Sequence, residues 1–390
     1  MMSSRWGRAA ALTSAVALLA ACGGGSDDSS GSGGAADGDL PSEITIEVVS
    51  DQTGPVAYAG VGALKGAQLA AQEINDQQFL GEGVTVNITV ADTAGTIETA
   101  SSEMTKAMAD SSVTAIIGPA QGQQAAAVAP LVERSKVPTV FTQAGSQGVV
   151  IGDYTFRATA PMSTYYHLAT EYLQEQNLTN VAMIYNATFL TFSEMAETTV
   201  PADAQKAGVN IGTSVPVQQT TQDFTTPVRT LVSGQPDAVI MLLTAPQSVT
   251  ALTELKNNGY QGKILATSVQ GAGNISQAGD AAVGLVYPTD YSMAMTNDTS
   301  VAFTEAYKST YSADPKPYDA EGYDAAWWIA RAIKEQGSAD REQVMEGLKA
   351  VASQGFDGAM GPLTFDGNDM RVEGVLVEWD GTKETLVTNN

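Results

Sequence analysis

The sequence predicts an α/β protein of two doubly wound lobes, each built on a parallel β-sheet. From residue 44 onward, short β-branched runs alternate with longer amphipathic stretches, which is the pattern of βα units. The pattern pauses after residue 141 and restarts near residue 181. A chain of 390 residues also exceeds the size of one typical hydrophobic core, so two lobes are expected.

The first lobe is predicted as four strands alternating with three helices. The strands are expected at residues 44–50, 84–91, 113–117 and 139–141, and the helices over 59–78, 97–110 and 123–134. In the first of these helices, Leu64, Ala67, Ala71 and Ile74 fall on one face at helical spacing. A helix with one apolar face packs against a sheet, which places this segment in a doubly wound lobe.

The second lobe repeats the alternation. Its strands are expected at residues 181–185, 209–215, 238–243 and 263–266, and its helices over 191–207, 224–232 and 247–258. Three further helices are expected over 301–310, 320–335 and 341–352, followed by strands near Leu363 and over 374–379. A helical block followed by strands suggests that the chain returns to complete both lobes.

The N-terminus is typical of a secretory signal followed by an attachment point. Two arginines precede an apolar run over residues 9–19, which is too short to span a bilayer as a stable helix. The four residues that end at Cys22, LAAC, resemble the lipobox of bacterial lipoproteins, in which the cysteine is acylated and becomes the first residue. We expect a signal peptide over 1–21, lipid on Cys22 and an extracytoplasmic protein anchored to the outer face of the cell membrane. The alternative is an ordinary signal peptide that happens to contain a cysteine.

Residues 22–41 are predicted to form a flexible tether. Every residue from 23 to 39 is Gly, Ser, Asp or Ala, and none of these supplies apolar surface that would offset the entropy of ordering. As a Gly-rich coil the tether would span roughly 20 to 25 Å, which would hold a folded body close to a membrane.

The charge balance narrows the possible partners. The chain has 19 Lys and Arg against 43 Asp and Glu, a formal net charge of −24. Nucleic acid and anionic lipid headgroups are therefore poor partners, and a well-solvated surface is the simpler interpretation. The single cysteine allows no internal disulfide, and no cluster of Cys and His suggests a metal. We expect no metal, no cofactor and a monomer.

Three loops at one edge of the predicted first sheet are candidates for ligand contact. They cover residues 51–58, 118–124 and 142–146, each after a strand. In doubly wound sheets, ligands bind beyond the carboxyl ends of the strands. Small residues in these loops let backbone N–H groups approach an anion or a carbonyl closely. The alternative for any one loop is a tight connection without function.

Two motifs suggest other chemistry. The glycines between residues 60 and 66 resemble a dinucleotide fingerprint, but the third glycine stands one position late. The segment 144–148, with Ser146 at its centre, approaches the nucleophile elbow of serine hydrolases. An esterase there would need His167, the only histidine of the chain. A single helical histidine is more often a packing or surface residue, so no enzyme is expected.

A series of short motifs carries a family resemblance. They are Thr53-Gly54-Pro55-Val56, Glu73-Ile74-Asn75, Gly118-Pro119, Ala129-Pro130, Phe156-Arg157, Asp223-Phe224-Thr225, Asn258-Gly259-Tyr260, Tyr323-Asp324-Ala325 and Gly361-Pro362-Leu363-Thr364-Phe365-Asp366. In this order they resemble the substrate-binding lipoproteins of ABC importers of the branched-chain amino acid class, which are type I periplasmic binding proteins. Each motif is weak alone, and their order carries the resemblance.

The resemblance implies two lobes joined by a three-crossing hinge, with a small solute held in the cleft as the lobes close. The crossings are expected near residues 157–161, 287–291 and 370–374. Lobe one would comprise residues 42–160 and 288–371, and lobe two 161–287 and 372–390. The closed form would be read by the permease subunits of an ABC importer. The alternative partner is a membrane signalling protein, for which the chain would act as a solute sensor.

The resemblance also implies ligand contacts. The family's carboxylate-binding hydroxyls and amides fall on Gly122 and on Gly145 or Ser146, so backbone N–H groups would have to hold a carboxylate. The acids that pair with a ligand's ammonium fall on Met162 and Gln270, which are both neutral. Because a buried ammonium without a carboxylate partner is costly, these positions favour a solute without an α-ammonium.

A one-residue slip in that correspondence would leave Asp290 or Asp319 as the ammonium partner. The pocket walls are expected to be Tyr58, Phe189, Phe192 and Tyr318, with Gln121, Gln143, Gln270 and Thr244 as polar contacts. Such a set suits a solute with an apolar or aromatic body and an amide, carbonyl or carboxylate head. A branched-chain amino acid remains the family's usual ligand, and core packing is the alternative role for each aromatic residue.

Overall fold

The computed structural model describes residues 40–146, 148–271 and 274–387. The predicted signal peptide over 1–21, the predicted lipid attachment at Cys22 and nearly all of the tether predicted over 22–41 lie outside these residues. Within the described ranges, no helix is both long and apolar enough to cross a membrane.

The first sheet starts with strands and helices in strict alternation. Its elements are β1 (Glu43–Ser50), α1 (Ala57–Asp76), β2 (Thr85–Asp92), α2 (Ile97–Ala109), β3 (Val113–Ile117), α3 (Gly122–Ser135), β4 (Thr139–Phe141) and β5 (Thr155–Arg157). These five strands pair in parallel. Every residue of β3 is buried, as expected for a central parallel strand with helices on both faces.

The second sheet repeats this alternation. Its elements are α4 (Met162–Tyr165), α5 (His167–Glu175), β6 (Asn180–Asn186), α6 (Leu190–Glu194), α7 (Val200–Lys206), β7 (Asn210–Val217), α8 (Thr225–Val232), β8 (Ala238–Leu242), α9 (Ala245–Asn257), β9 (Lys263–Leu265) and β10 (Val286–Thr289). Alternate residues of β8 supply two separate cores, with Ile240 and Leu242 on one face of the sheet and Val239 and Met241 on the other.

The chain then returns to both sheets. The returning elements are α10 (Asp298–Tyr311), α11 (Pro317–Gln336), α12 (Arg341–Gln354), β11 (Phe356–Gly358), β12 (Gly361–Asp366), β13 (Asp369–Arg371), β14 (Val375–Trp379) and β15 (Glu384–Leu386). The strand orders are β11-β12-β13-β5-β4-β3-β1-β2 and β15-β14-β10-β9-β8-β6-β7. The chain therefore passes between the sheets after β5, after β10 and after β13. We call the part built on the first sheet lobe one and the part built on the second sheet lobe two.

Two α/β lobes confirm the predicted fold class, with one correction to the sheets. Both are mixed, because β11, β12, β14 and β15 pair antiparallel with their neighbours at the edges. The prediction also omits β5, β10, β11, β13 and β15, which have three or four residues each and are too short to show an alternating pattern. The helix predicted over 191–207 contains a π-helical turn at Met195–Thr199, between α6 and α7.

Helices α1 and α11 of lobe one pack backbone against backbone through glycines. A Cβ atom on Gly66 would lie 1.9 Å from the carbonyl oxygen of Asp319, and one on Gly322 would lie 2.2 Å from that of Ala63. The glycines between residues 60 and 66 thus lie inside a helix at a close helix contact, and the dinucleotide interpretation is wrong. Glycine in a helix costs about 1 kcal/mol relative to alanine, which the close packing offsets.

Candidate functional site

A cavity lies between the two lobes, where the carboxyl ends of strands from both sheets face each other. Lobe one contributes the loops after β1, β3 and β4 and the first turn of α11, and lobe two contributes the loops after β6 and β9. Segments that cross between the lobes, after β5 and β10, close the remaining side. The cavity has a volume of about 40 Å³. The cavity is small because the lobes are closed.

Direct contacts between the lobes hold this closed arrangement. The hydroxyls of Ser146, in lobe one, and Thr191, in lobe two, lie 2.9 Å apart. The Tyr318 hydroxyl of lobe one donates to the Val269 carbonyl of lobe two over 3.1 Å and accepts from the Asn274 amide, also over 3.1 Å. Closure therefore joins the two walls of the cavity by hydrogen bonds between the lobes.

Most of the cavity wall is aromatic or aliphatic. The apolar and aromatic lining residues are Val56, Tyr58, Ala59, Ala120, Ala160, Met162, Tyr165, Phe189, Val269 and Tyr318. The rings of Tyr58 and Tyr318 meet with their centroids 5.4 Å apart and their planes tilted by 55°. Such a wall matches a solute with an apolar or aromatic body.

Two buried carboxyl groups are the strongest polar feature of the cavity. Asp290, just after β10, and Glu321, the fifth residue of α11, are 1% and 3% exposed. The Gln143 backbone N–H donates to Glu321 Oε2 over 2.8 Å, and the Gln143 side-chain amide donates to the same oxygen. The hinge segment after β10 thus brings one acid against another from lobe one.

The two carboxyl groups raise each other's cost of ionisation. Burial raises the pKa of Asp290 above its usual range. Burial, together with the negative charge of Asp290 and a hydrogen bond to it, holds the pKa of Glu321 well above its usual range. Two adjacent buried carboxylates without a cation cannot both ionise easily, so the pair retains a proton at pH values where exposed acids would be fully charged.

No positive side chain faces this pair. Among the described residues that line the cavity, none is Lys, Arg or His. The phenol groups of Tyr165 and Tyr318 stay neutral, because burial and the nearby acids raise the pKa of each well above 10. The cavity therefore carries negative charge without an internal counterion.

Polar atoms at the cavity also lack partners. Gln143 has a left-handed backbone with φ of 53°, and the Oε1 atom of its buried amide has no hydrogen-bond partner among the described residues. The Thr159 hydroxyl, on a residue 4% exposed, lies beside Glu321 without the geometry of a hydrogen bond. A buried polar atom without a partner is unusual in a protein interior and is typical of a ligand site.

The amide of Gln121 is committed within lobe one. Its Nε2 donates to Asp51 Oδ2 over 3.0 Å, and its Oε1 accepts from Gln123 over 2.7 Å. Asp51 begins the first loop, directly after β1, and also accepts from the Gly95 N–H over 2.8 Å. Gln121 thus lines the cavity with an amide that is already hydrogen-bonded.

Seven of the predicted contact residues line the cavity. They are Tyr58, Gln121, Gln143, Gly145, Met162, Phe189 and Tyr318. Five others do not, and each has a local role. Phe192 packs under Phe189 with ring centroids 5.0 Å apart, and Thr244 donates to Gln247 over 3.1 Å. Gly122 packs against Ser146, because a Cβ there would lie 2.0 Å from its Oγ.

Gln270 and Ser146 are predicted ligand contacts that form hydrogen bonds within the protein instead. The Gln270 amide accepts from the Thr267 N–H and donates to the Leu243 carbonyl and the Ser248 hydroxyl, so it is fully hydrogen-bonded inside lobe two. The Ser146 hydroxyl pairs with Thr191. His167, which the esterase alternative would need, does not line the cavity.

Glu321 is the functional residue that sequence reasoning missed. It lies three residues after Tyr318, which the sequence predicts as a wall of the pocket. Residues three apart lie on the same face of a helix, so this spacing could have indicated Glu321. The sequence indicates Asp290 only as an alternative ammonium partner, if the correspondence with the family is shifted by one residue. The structure places Asp290 at the cavity. Asp319 instead accepts hydrogen bonds from the Tyr307 hydroxyl and the Lys316 N–H, away from the cavity.

A partly buried acid at the hinge, Asp369, has its cation in the chain. Arg157, at the end of β5, donates to both carboxylate oxygens of Asp369 in β13, over 2.6 and 2.7 Å. It also donates to the carbonyls of Ala144 and Ser146, each over 2.8 Å. Arg157 thereby ties the first crossing to the third and holds the loop after β4.

Nothing in the described parts of the chain suggests a metal. No group of three or more His, Cys, Asp and Glu residues there has the geometry to hold an ion. The chemistry of the cavity is therefore that of hydrogen bonds, charge and apolar contact.

Comparison with known proteins places this site in context. A family model described as periplasmic binding protein matches residues 43–381. Leu/Ile/Val-binding protein homolog 7 of Brucella abortus (strain 2308) is 25% identical over 366 residues, which covers 86% of this chain and 88% of the relative.

Solved structures share the fold. The leucine-binding protein LivK of Thermotoga maritima MSB8 has a TM-score of 0.79 and 24% identity, over 88% of this chain and 98% of that one. A solute-binding protein of an ABC transporter from Rhodopseudomonas palustris BisB5, in complex with 3,4-dihydroxybenzoic acid, has a TM-score of 0.80 and 19% identity, over 89% and 97%. At these identities the likeness concerns the fold alone.

Proposed function

The chain belongs to the periplasmic binding protein family, and from that premise we propose that it is an extracytoplasmic receptor that captures a small organic solute and delivers it to an ABC importer. The observation that carries the proposal is the enclosed cavity between the lobes, with aromatic walls and buried polar atoms that lack partners. Hydrogen bonds between the lobes supply the second requirement, a closed form that a permease can distinguish from the open one.

The relatives suggest two classes of solute. Leu/Ile/Val-binding and leucine-binding relatives point to branched-chain amino acids, and the Rhodopseudomonas palustris protein to aromatic carboxylates. Asp290 and Glu321 disfavour an aromatic carboxylate, because its negative charge would join two buried acids without a cation nearby. The cavity favours a solute that brings positive charge, such as the ammonium of an amino acid.

The remaining features of the receptor are proposals from the sequence. Lipid on Cys22 would anchor it to the membrane, the permease subunits of an ABC importer would be its protein partners, and a single copy would suffice. The lobe boundaries at residues 160, 287 and 371 are proposed from the same resemblance. We propose no enzymatic role, because Ser146 is hydrogen-bonded to Thr191 and no histidine lines the cavity.

Ligand-induced closure tests the receptor function. The purified full chain is mixed with branched-chain amino acids, aromatic acids and the amines related to them, and its melting temperature and small-angle X-ray scattering are recorded. A solute at 100 times its Kd should stabilise the folded form by about 2.7 kcal/mol and reduce the radius of gyration. If no compound changes either quantity, the receptor proposal fails for these solute classes.

A further inference from the structure

The acceptors around the empty part of the cavity match the donors of one chemical group. Asp290, Glu321 and the unpartnered Oε1 of Gln143 are three acceptor groups at the same cavity. A primary ammonium has three N–H donors and no acceptor. It would complete the hydrogen bonding of all three groups at once.

The same group would supply the missing charge. The pair raises the pKa values of the Tyr165 and Tyr318 phenols and Asp290 raises that of the buried Asp324, and none of these groups is a cation. Arg331 acts on Asp324 but is not among the described residues that line the cavity. A buried carboxylate pair is stable only with a positive partner or a bound proton. An ammonium from the solute would take the place that a bound proton has in the empty protein.

The donors that would hold a carboxylate are already used. The backbone N–H and the side-chain amide of Gln143 both bind Glu321, and the amide of Gln121 binds Asp51. Of the positions where the family resemblance puts carboxylate contacts, Gly122 and Ser146 do not line the cavity. Gly145 does line it, but its backbone N–H already donates to the Gln143 carbonyl over 2.8 Å. A solute carboxylate would therefore meet two acids, no cation and few free donors.

The walls suit the rest of such a solute. Tyr58, Tyr165, Phe189 and Tyr318 line the cavity, and aromatic faces attract cations as well as apolar groups. The aromatic walls and the acid pair thus favour the same kind of molecule, a cation with an apolar or aromatic body.

We propose that the solute is an organic amine, with a primary ammonium held by Asp290, Glu321 and Gln143 and an apolar or aromatic body without a carboxylate. This inference rests on the proposed receptor function and narrows its solute class. It differs from the binding of an α-amino acid, which needs a place for the carboxylate.

Matched pairs of compounds test the proposal on the unaltered full chain. Leucine is compared with 3-methylbutylamine, and phenylalanine with 2-phenylethylamine, by isothermal titration calorimetry at pH 7.5. Each pair differs only in the carboxylate. At least one amine should bind about tenfold or more tightly than its amino acid.

If both amino acids bind as tightly as their amines or more tightly, the amine proposal is wrong while the receptor function stands. If none of the four compounds binds and none closes the lobes, the amine proposal fails, and the receptor function rests on the wider solute screen.

Variants then locate the ammonium. Glu321→Gln and Asp290→Asn should each weaken the amine by at least about tenfold, because each removes a negative partner. Asp366→Asn removes the same charge from an exposed side chain of lobe one and serves as the control. The melting temperatures of the three variants are compared first, so that a loss of folding is not mistaken for a loss of binding. Equal affinity in all three would overturn the assignment of these acids to the ammonium.

Discussion

The hinge and the cavity treat their carboxylates in opposite ways. At the hinge, Arg157 donates two hydrogen bonds to the carboxylate of Asp369, and its remaining hydrogen bonds go to two carbonyls. In the cavity, Asp290 and Glu321 face each other, and no cation is among the described lining residues. The hinge acid thus has its cation within the chain. Under the proposed function, the cavity acids receive theirs from the solute.

The largest effect is expected from breaking the hinge pair. Arg157→Leu would leave two buried carbonyls and the partly buried Asp369 without their main donor, and the free energy of unfolding should fall by about 3 kcal/mol. Urea denaturation measures this loss. Arg371→Leu is the matched control, because Arg371 also reaches Asp369, at 3.4 Å, but is partly exposed. It should cost less than about 1 kcal/mol. Equal losses in the two variants would show that the buried pair has no special role.

The cavity pair should respond in the opposite direction. The pKa of Glu321 is raised on folding, so the folded protein binds the proton more tightly than the unfolded chain. Stability is then highest at low pH and falls as the pH rises through the interval between the unfolded and folded pKa values, by at most about 1.4 kcal/mol per pH unit for one proton. Glu321→Gln should reduce this fall in the ligand-free protein and make it more stable than the unaltered chain at pH 8.

Asp324 also has a raised pKa, and its titration must be separated from this effect. Burial raises its pKa to about 7, against hydrogen bonds from the Ala359 and Met360 N–H groups. Because it is present in both proteins, the difference between their pH profiles isolates the cavity pair. Thermal melts between pH 5 and 8 supply these profiles. A constant difference across that range would contradict the assignment to Glu321.

The smallest effect is expected where the two regions meet. Arg157 holds the carbonyl of Ser146, and the hydroxyl of Ser146 contacts Thr191 across the cleft. Gly122→Ala should displace that hydroxyl and remove about one hydrogen bond from the closed form, which is about 1 kcal/mol or a fivefold loss of solute affinity. Helix stability should change little, since alanine suits a helix.

A double variant separates steric displacement from other causes. In Gly122→Ala with Ser146→Ala, the methyl group no longer meets an oxygen, so the lobes should close as in Ser146→Ala alone. Calorimetry with the best solute from the screen and scattering of the complex measure affinity and closure. A double variant that binds more weakly than both single variants would rule out the proposed contact.

The sequence predicts what depends on neighbours in the chain. The runs over residues 113–117 and 238–242 are apolar except for Thr114 and form buried central strands, as their pattern indicates. The three-residue strands at the crossings have no such pattern, because their position is set by the sheets they join. The order of the family motifs supplies what the strand pattern lacks, because it predicts positions for all three crossings.

The site was harder to predict because its acids meet across the chain. Gln143 and Glu321 are 178 residues apart and touch only in the folded protein. Gln270 illustrates the opposite error: its amide was assigned to a ligand, yet it caps its own turn at Thr267, three residues away. A single polar residue gives no sign of whether its partner is local, distant or a ligand.

The glycine contact between α1 and α11 has a consequence for directed evolution. Those helices carry Tyr58 and Glu321, and their backbones approach so closely that even a methyl group would not fit at Gly66 or Gly322. Libraries that vary the glycines would mostly yield misfolded clones. Libraries confined to the cavity side chains would keep the scaffold intact. The specificity of the protein could then be changed to new solutes, for instance for a biosensor, through the cavity surface alone.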